Sequence, residues 1–202
     1  MSGEGSLDDA VARMCDGDTE AFRAVYRSVQ APLLRYLEVL VGREDAEDVA
    51  SETWAQVVRD LHRFSGGADG FRGWITKIGR HRALDLLRHR SRRIRADQDL
   101  TGVEVADSLD LELRVDEIIT TEAALAAIRS LPRDQAEAVM LRAVLGLDAK
   151  SAGRVLGKRP GAVRSAAHRG IHSLERALDA RRPDSLVDVR DIFRPFGAEG
   201  VR

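Results

Sequence analysis

An all-α fold follows from three observations. Hydrophobic residues make up 44% of the 202 residues but aromatics only 4%, and the excess of Ala, Leu, Val and Arg favours helices over sheets. Apolar residues recur three and four apart along most of the chain, the spacing of one helix face. Gly and Pro fall largely between these periodic stretches, where they end one element and begin the next.

The elements follow in order. Leu7, Val11 and Met14 share one face, and "DGDTE" then offers Asp18 or Thr19 as the N-cap of a helix carrying Phe22, Val25, Tyr26 and Val29. Pro32 suits a first helical turn or a kink; Leu33, Leu34, Leu37 and Leu40 continue the period until Gly42. A third helix from about Asp45 carries Val49, Thr53, Trp54, Val57, Val58 and Leu61, with Asp45, Asp48 and Glu52 along another face. "FSGGADG" stops it. A fourth helix spans 71–95, with Trp74, Ile75 and Ile78 in one stripe and Ala83, Leu84 and Leu87 in a second. His81 and Arg82 interrupt them, so a polar waist is expected.

Residues 96–116 are acidic, contain no aromatic and lack strong periodicity, as a linker would. Beyond them, Ile118, Leu125, Ile128 and Leu131 form a helix stopped by Pro132, and Ala136, Val139, Met140, Ala143 and Val144 form the next, stopped near Gly146. A short helix over Asp148 to Leu156, the turn "GKR" and a last helix opened by Pro160 complete the pattern, the last carrying Val163, Ala167, Ile171, Leu174 and Leu178. The expected organisation is therefore a helical domain over 1–95, a linker over 96–116, a second helical domain over 117–182 and a tail over 183–202. Val187, Ile192, Phe193 and Phe196 give that tail an apolar side suited to docking on the domain or on a partner.

The formal net charge of −1 conceals strong local blocks. Residues 44–52 are acidic, 71–95 hold nine Lys or Arg against one carboxylate, 97–117 hold eight carboxylates against Arg114, and 158–182 are basic again. Blocks of both signs point to two kinds of partner, or to one partner and an internal mask. The single cysteine, Cys15, excludes an internal disulfide and fits a reducing compartment. No apolar run approaches the ~18–20 residues that cross a bilayer, and "MSGEGSLDDA" lacks the parts of a secretory signal. A cytoplasmic protein without direct membrane insertion is expected.

"LDAKSAGRVLGKRPGAVRSAAHRGIHSLERAL" has the form of a helix-turn-helix. Ala152, Val155 and Leu156 pack the first helix, Gly157 permits the turn, and Val163 and Ala167 seat the second. Its outward face carries Gly161, Arg164, Ser165, His168 and His172, flanked by Lys158, Arg159 and Arg169. Those are donors for phosphate oxygens and base edges on a helix whose N-terminus favours anions. His168 and His172 lack an acidic or cysteine partner at ligand spacing, so no metal is expected. Asp45, Asp48 and Glu52 have no His partner on their face and no nucleophile motif nearby; they read as a charged face for a basic partner. No catalytic residue and no cofactor is expected.

Three segments together resemble the extracytoplasmic-function (ECF) sigma factors, two-domain members of the sigma-70 family that direct RNA polymerase to promoters. "DAEDVASETWAQVVRDL" looks like the region 2 helix that meets the β′ clamp, which implies core-polymerase binding by Asp45, Asp48, Val49, Glu52 and Trp54. "FRGWITKIGRHRALDLLRHRSRR" looks like the strand-separating helix that reads the minus-10 element. With the loop between Phe64 and Phe71 as base pocket, it implies minus-10 contacts from Phe64, Ser65, Phe71, Lys77, Arg80, His81 and Arg88. "SLPRDQAEAVMLRAVLGLDAKSAGRVLGKRPGAVRSAAHRG" looks like region 4. It implies minus-35 contacts from Lys158, Arg159, Gly161, Arg164, Ser165, His168 and Arg169, and a second polymerase contact at the β flap.

The resemblance covers roughly residues 8–95 and 117–180. It implies a non-enzymatic initiation factor whose partners are core polymerase, promoter DNA and, as for many relatives, an anti-sigma protein. The alternative from the residues alone is a helix-turn-helix regulator that binds an operator as a dimer. The chain departs from the family pattern at Ser51, where Gln is usual, at His81 and Arg82, where Asn and an apolar residue are usual, and at Ala152 and Ala166, where Ile and Arg are usual.

Overall fold

The computed structural model describes residues 6–98 and 121–181, and every regular element in them is helical. The expected tail, the linker from residue 99 onward and Ile118 lie outside the described residues. Helix α1 (Leu7–Cys15) begins with a capping box, in which Ser6 and Asp9 each accept from the other's backbone N–H. Asp18 caps α2 (Thr19–Val41), its Oδ1 accepting from Glu20 N at 2.9 Å and Ala21 N at 3.0 Å. Pro32 neither starts nor ends a helix: α2 runs through it. The carbonyl that loses its donor belongs to Ser28, an exposed residue, so water can satisfy it.

Gly42, at φ +86°, turns the chain from α2 into α3 (Arg43–Asp60). A 3₁₀ turn over Leu61–Arg63 leads to α4 (Ala68–Gln98), which starts earlier and ends later than the basic stretch alone suggests. The early start has a cause outside the helix. Asp8 of α1 accepts from the backbone N–H of Ala68 at 2.6 Å and so caps α4 from a distant part of the chain.

In the second half, α5 (Thr121–Arg129) and α6 (Arg133–Val139) precede a π turn over Met140–Val144, and α7 (Ala149–Leu156) and α8 (Pro160–Arg181) follow. Val11, Val25, Leu33, Tyr36, Leu37, Val57, Phe71 and Ile75 are buried among α1–α4; Ile128, Val139, Leu141, Leu147, Val163 and Leu174 are buried among α5–α8. Each large side chain so buried contributes about 1.5–3 kcal/mol. The two groups also touch: α2 packs on α5, α6 and the π turn, and α7 lies against α4.

Candidate nucleic-acid interface

The helix-turn-helix is built from its caps. Asp148 starts α7, its Oδ1 accepting from Ser151 N at 2.6 Å, and this backbone hydrogen bond holds its carboxyl below the usual carboxylate range. Gly157, left-handed at φ +67°, ends α7. The chain then folds back so closely that a Cβ on Gly153 would lie 2.6 Å from the carbonyl oxygen of Lys158. Lys158 N–H donates to Gly153 O at 2.9 Å across the same turn.

That turn aims α8. Val163, Ala166, Ala167 and Gly170 face the core, whereas Gly161, Arg164, Ser165, His168 and Arg169 are exposed, as is Arg159 before the helix. Lys158 is committed elsewhere: its Nζ lies 2.5 Å from Asp134 Oδ2, and this hydrogen bond lowers the Asp134 pKa. His172 has the acidic neighbour that the spacing argument overlooked, with Nδ1 3.2 Å from Glu175 Oε2. Among the described residues no group of three or more His, Cys, Asp or Glu converges as a metal would require. Ala166, where the resemblance expects Arg, is 4% exposed, so an Arg at this position would be driven into the core.

On α4, Lys77, His81 and Arg88 are exposed, Arg88 reaching Asp85 at 2.6 Å. Arg82 is not a free cation. It donates to Gln56 Oε1 at 3.0 and 3.2 Å and to Glu52 Oε2 at 2.7 Å, so the polar waist is where α4 is tied to α3. Arg80 is turned toward α6: its Nε lies 2.5 Å from Glu137 Oε2 and its Nη2 3.3 Å from Glu137 Oε1. The base-pocket expectation needs two corrections. Helix α4 already begins at Ala68, which leaves a loop of residues 64–67, and Phe71 is fully buried, so it supports the loop rather than lining it. Phe64 stacks on Trp74 at 5.1 Å between ring centroids, and Ser65 is exposed beside it.

On α3 the five residues expected to meet polymerase separate. Asp48 is exposed; Glu52 is exposed and bridged to Arg82; Asp45 is held by Arg90, whose Nη2 lies 2.6 Å from its Oδ1. Val49 and Trp54 are core residues, the indole Nε1 donating to Gln30 Oε1 at 2.6 Å, so neither side chain is offered to a partner. Val58, placed in the buried stripe by its spacing, is instead 58% exposed. It shares an open face with Asp48, Ser51 and Ala55.

Two family models match the chain, Sigma-70 region 2 over residues 22–93 and Sigma-70, region 4 over residues 121–174. The ECF RNA polymerase sigma factor ShbA of Streptomyces griseus is 34% identical over 179 residues, covering 83% of this chain and 92% of that protein. This chain belongs to the ECF sigma factors of the sigma-70 family. The sigma factor SigD of Mycobacterium tuberculosis is 30% identical over 189 residues, 87% of this chain and 84% of that protein. Among solved structures, RpoE of Bartonella quintana in complex with the anti-sigma factor NepR shares the fold at TM-score 0.65 and 22% identity, over 81% of this chain and all of that one. CnrH in complex with the cytosolic domain of CnrY does so at TM-score 0.59 and 23% identity, over 89% of this chain and all of that one.

Within this sigma factor, region 2 comprises α2–α4 and region 4 comprises α5–α8. Spacing missed the residue between them. Glu137, only 3% exposed, accepts from Tyr36 Oη at 3.3 Å and Arg133 Nε at 3.2 Å as well as from Arg80. Burial and the neighbouring Glu137 carboxylate push the Tyr36 pKa well up; for Arg80, burial lowers the pKa, but the Glu137 hydrogen bond and charge outweigh it and leave it raised. The signal was available: Glu137 is a lone acid inside "AEAVML", an otherwise apolar run. Beside it an open groove of about 670 Å³ is lined by Leu84, Leu87, Arg88, Ser91 and Arg92 of α4 and by Arg133. No helix among the described residues is long and apolar enough to cross a membrane.

Proposed function

We propose that this sigma factor docks on core RNA polymerase through the open face of α3 around Asp48, with a second contact from region 4 at the β flap. The outward face of α8 reads the minus-35 element in the major groove through Arg159, Gly161, Arg164, Ser165, His168 and Arg169. Helix α4 and the loop over 64–67 meet the minus-10 strand, with Lys77, His81 and Arg88 on the backbone and Ser65 at an extruded base. Unstacking promoter bases costs a few kcal/mol per step, and binding energy released on the single strand offsets that cost. An anti-sigma protein is a further partner; the complexes with NepR and CnrY, formed by proteins of the same fold, support this. The linker, which begins after Gln98 rather than at residue 96, joins the two halves, and the tail from residue 183 contributes to control.

The observation that carries the minus-35 reading is the division of α8. Every apolar residue from Val163 to Gly170 is buried, and every polar one is exposed. An amphipathic surface helix shows such a division in any case; what makes this one support DNA contact is that the open side carries Arg164, Ser165, His168 and Arg169, donors for phosphates and base edges, on the second helix of a helix-turn-helix.

Reconstitution tests the proposal. The purified chain is added to sigma-free core polymerase from its source organism and transcript starts are mapped genome-wide; starts sharing paired upstream elements are expected. Absence of promoter-dependent transcripts from a competent core would overturn it. Tight sequence-specific binding without polymerase would point to the operator-binding regulator instead.

A further inference from the structure

We infer that Glu137 is a latch that closes region 4 onto region 2 in the free chain and withholds Arg80 from the promoter strand. The inference rests on the reading of α4 as the minus-10 helix and adds to it a contact that must break before that helix is complete.

The geometry is specific. Two of the three donors to Glu137 come from region 2, Tyr36 on α2 and Arg80 on α4, and only Arg133 comes from its own helix. A carboxylate buried to 3% exposure is tolerable only with such partners, because leaving water costs an ionised group several kcal/mol. The closed arrangement supplies them. Beside the latch α7 meets α4 where α4 is thinnest, an ideal Cβ on Gly73 lying 3.9 Å from the Cβ of Ser151.

The contact is also exclusive. The side-on fork of Arg80, Nε and Nη2, is engaged by the two oxygens of Glu137, and its side chain is 21% exposed. Arg80 therefore offers that bidentate edge to Glu137 or to a nucleic-acid phosphate, not to both. Because desolvation offsets much of the attraction in a buried ion pair, such a contact fixes the closed arrangement without making it hard to open. A polymerase surface that engages regions 2 and 4 separately would break it.

The test uses the full chain with Cys15→Ser and spin labels on Arg59→Cys and Arg176→Cys, both at exposed positions of opposite regions. Electron–electron distance measurements on the free protein are expected to give one short distance. Glu137→Gln should add a longer one, with the open fraction rising roughly tenfold. Tyr36→Phe, which keeps the ring and removes one donor, should shift the same way by less. The second readout is affinity of the free chain for a random-sequence pool of short single-stranded DNA: Glu137→Gln should tighten it severalfold, and adding Arg80→Gln should abolish the gain. Unchanged distances in Glu137→Gln with normal helicity would overturn the latch and leave the minus-10 reading untouched. If Glu137→Gln fails to fold, unchanged distances in Tyr36→Phe would do so. Opening without any gain in DNA affinity would overturn the competition for Arg80 and count against α4 as the minus-10 helix.

Discussion

Gly153→Ala tests whether the turn of the helix-turn-helix is as tight as it looks. The added Cβ would lie 2.6 Å from Lys158 O, 3.6 Å from Pro160 N and 3.7 Å from Lys158 C, all backbone atoms that no side-chain rotation can clear. Overpacking of this kind costs about 1–3 kcal/mol. Forcing the turn open also strains the Lys158 N–H to Gly153 O hydrogen bond, worth about 1 kcal/mol, while Ala in place of Gly in a helix returns about 1 kcal/mol. The net loss is therefore about 1–3 kcal/mol, confined to region 4. Both tryptophans, Trp54 and Trp74, lie in region 2, so fluorescence during urea unfolding follows region 2 while far-UV circular dichroism follows both. The dichroism transition should move to lower urea more than the fluorescence transition, and dependence on the minus-35 element should fall. Gly161→Ala is the control, since its nearest neighbour is the end of Arg164 at 4.0 Å and the substitution should be neutral or stabilising. Equal destabilisation by both substitutions, or none by Gly153→Ala, would refute the reasoning.

Asp148→Ala should cost about 1 kcal/mol by removing the α7 cap, while Asp148→Asn should retain most of it, as urea midpoints would show. Acidification should destabilise the fold: Asp18, Asp134 and Asp148 have pKa values lowered from 3.8 by hydrogen bonds made only when folded. Their contribution is present above pH 3.8 and lost as pH falls through the lowered values, which melting curves recorded from about pH 6 to about pH 3 would reveal as a small decline, small because all three are exposed. Asp48→Arg should weaken core-polymerase binding roughly tenfold or more in a direct affinity measurement, without loss of helicity. Arg164→Ala should cost about 1–3 kcal/mol of discrimination at one position of the upstream element, read by competition among promoter variants.

Helix number, helix order and the helix-turn-helix were legible because they depend on local signals: caps such as Asp18 and Asp148, stops such as Gly42 and Gly157, and apolar spacing. The exposed face of α8 was legible for the same reason, since Val163 and Ala167 fix which side is inward. What spacing could not show depends on partners far along the chain. Asp8 caps α4 from sixty residues away, Arg82 finds Gln56 and Glu52, and Glu137 finds Tyr36 and Arg80 across the two regions. Val58 was misplaced because helical spacing marks where a stripe points, whereas the width of the surface that covers it is set by α2 and α4. Val49 and Trp54 were misread in the other direction. The resemblance marks the helix, whereas packing decides which of its faces is open.

Ion pairs, two of them local and three long-range, balance much of so basic a helix. Among the described side chains, five cations between residues 71 and 95 have carboxylate partners: Arg72 with Asp69, Arg80 with Glu137, Arg82 with Glu52, Arg88 with Asp85 and Arg90 with Asp45. Pairs with a solvent-exposed member are worth about 0–1 kcal/mol, so exchanging such a carboxylate for a phosphate meets little resistance. Arg80 differs, because its partner is buried and belongs to the other region. Releasing it leaves the buried Glu137 with only Tyr36 and Arg133 as donors, so the exchange is favoured when region 4 moves away and lets water reach Glu137. On the proposed minus-10 reading of α4, the exposed pairs respond to DNA alone, whereas Arg80 gives up Glu137 when DNA binding and separation of the two regions occur together.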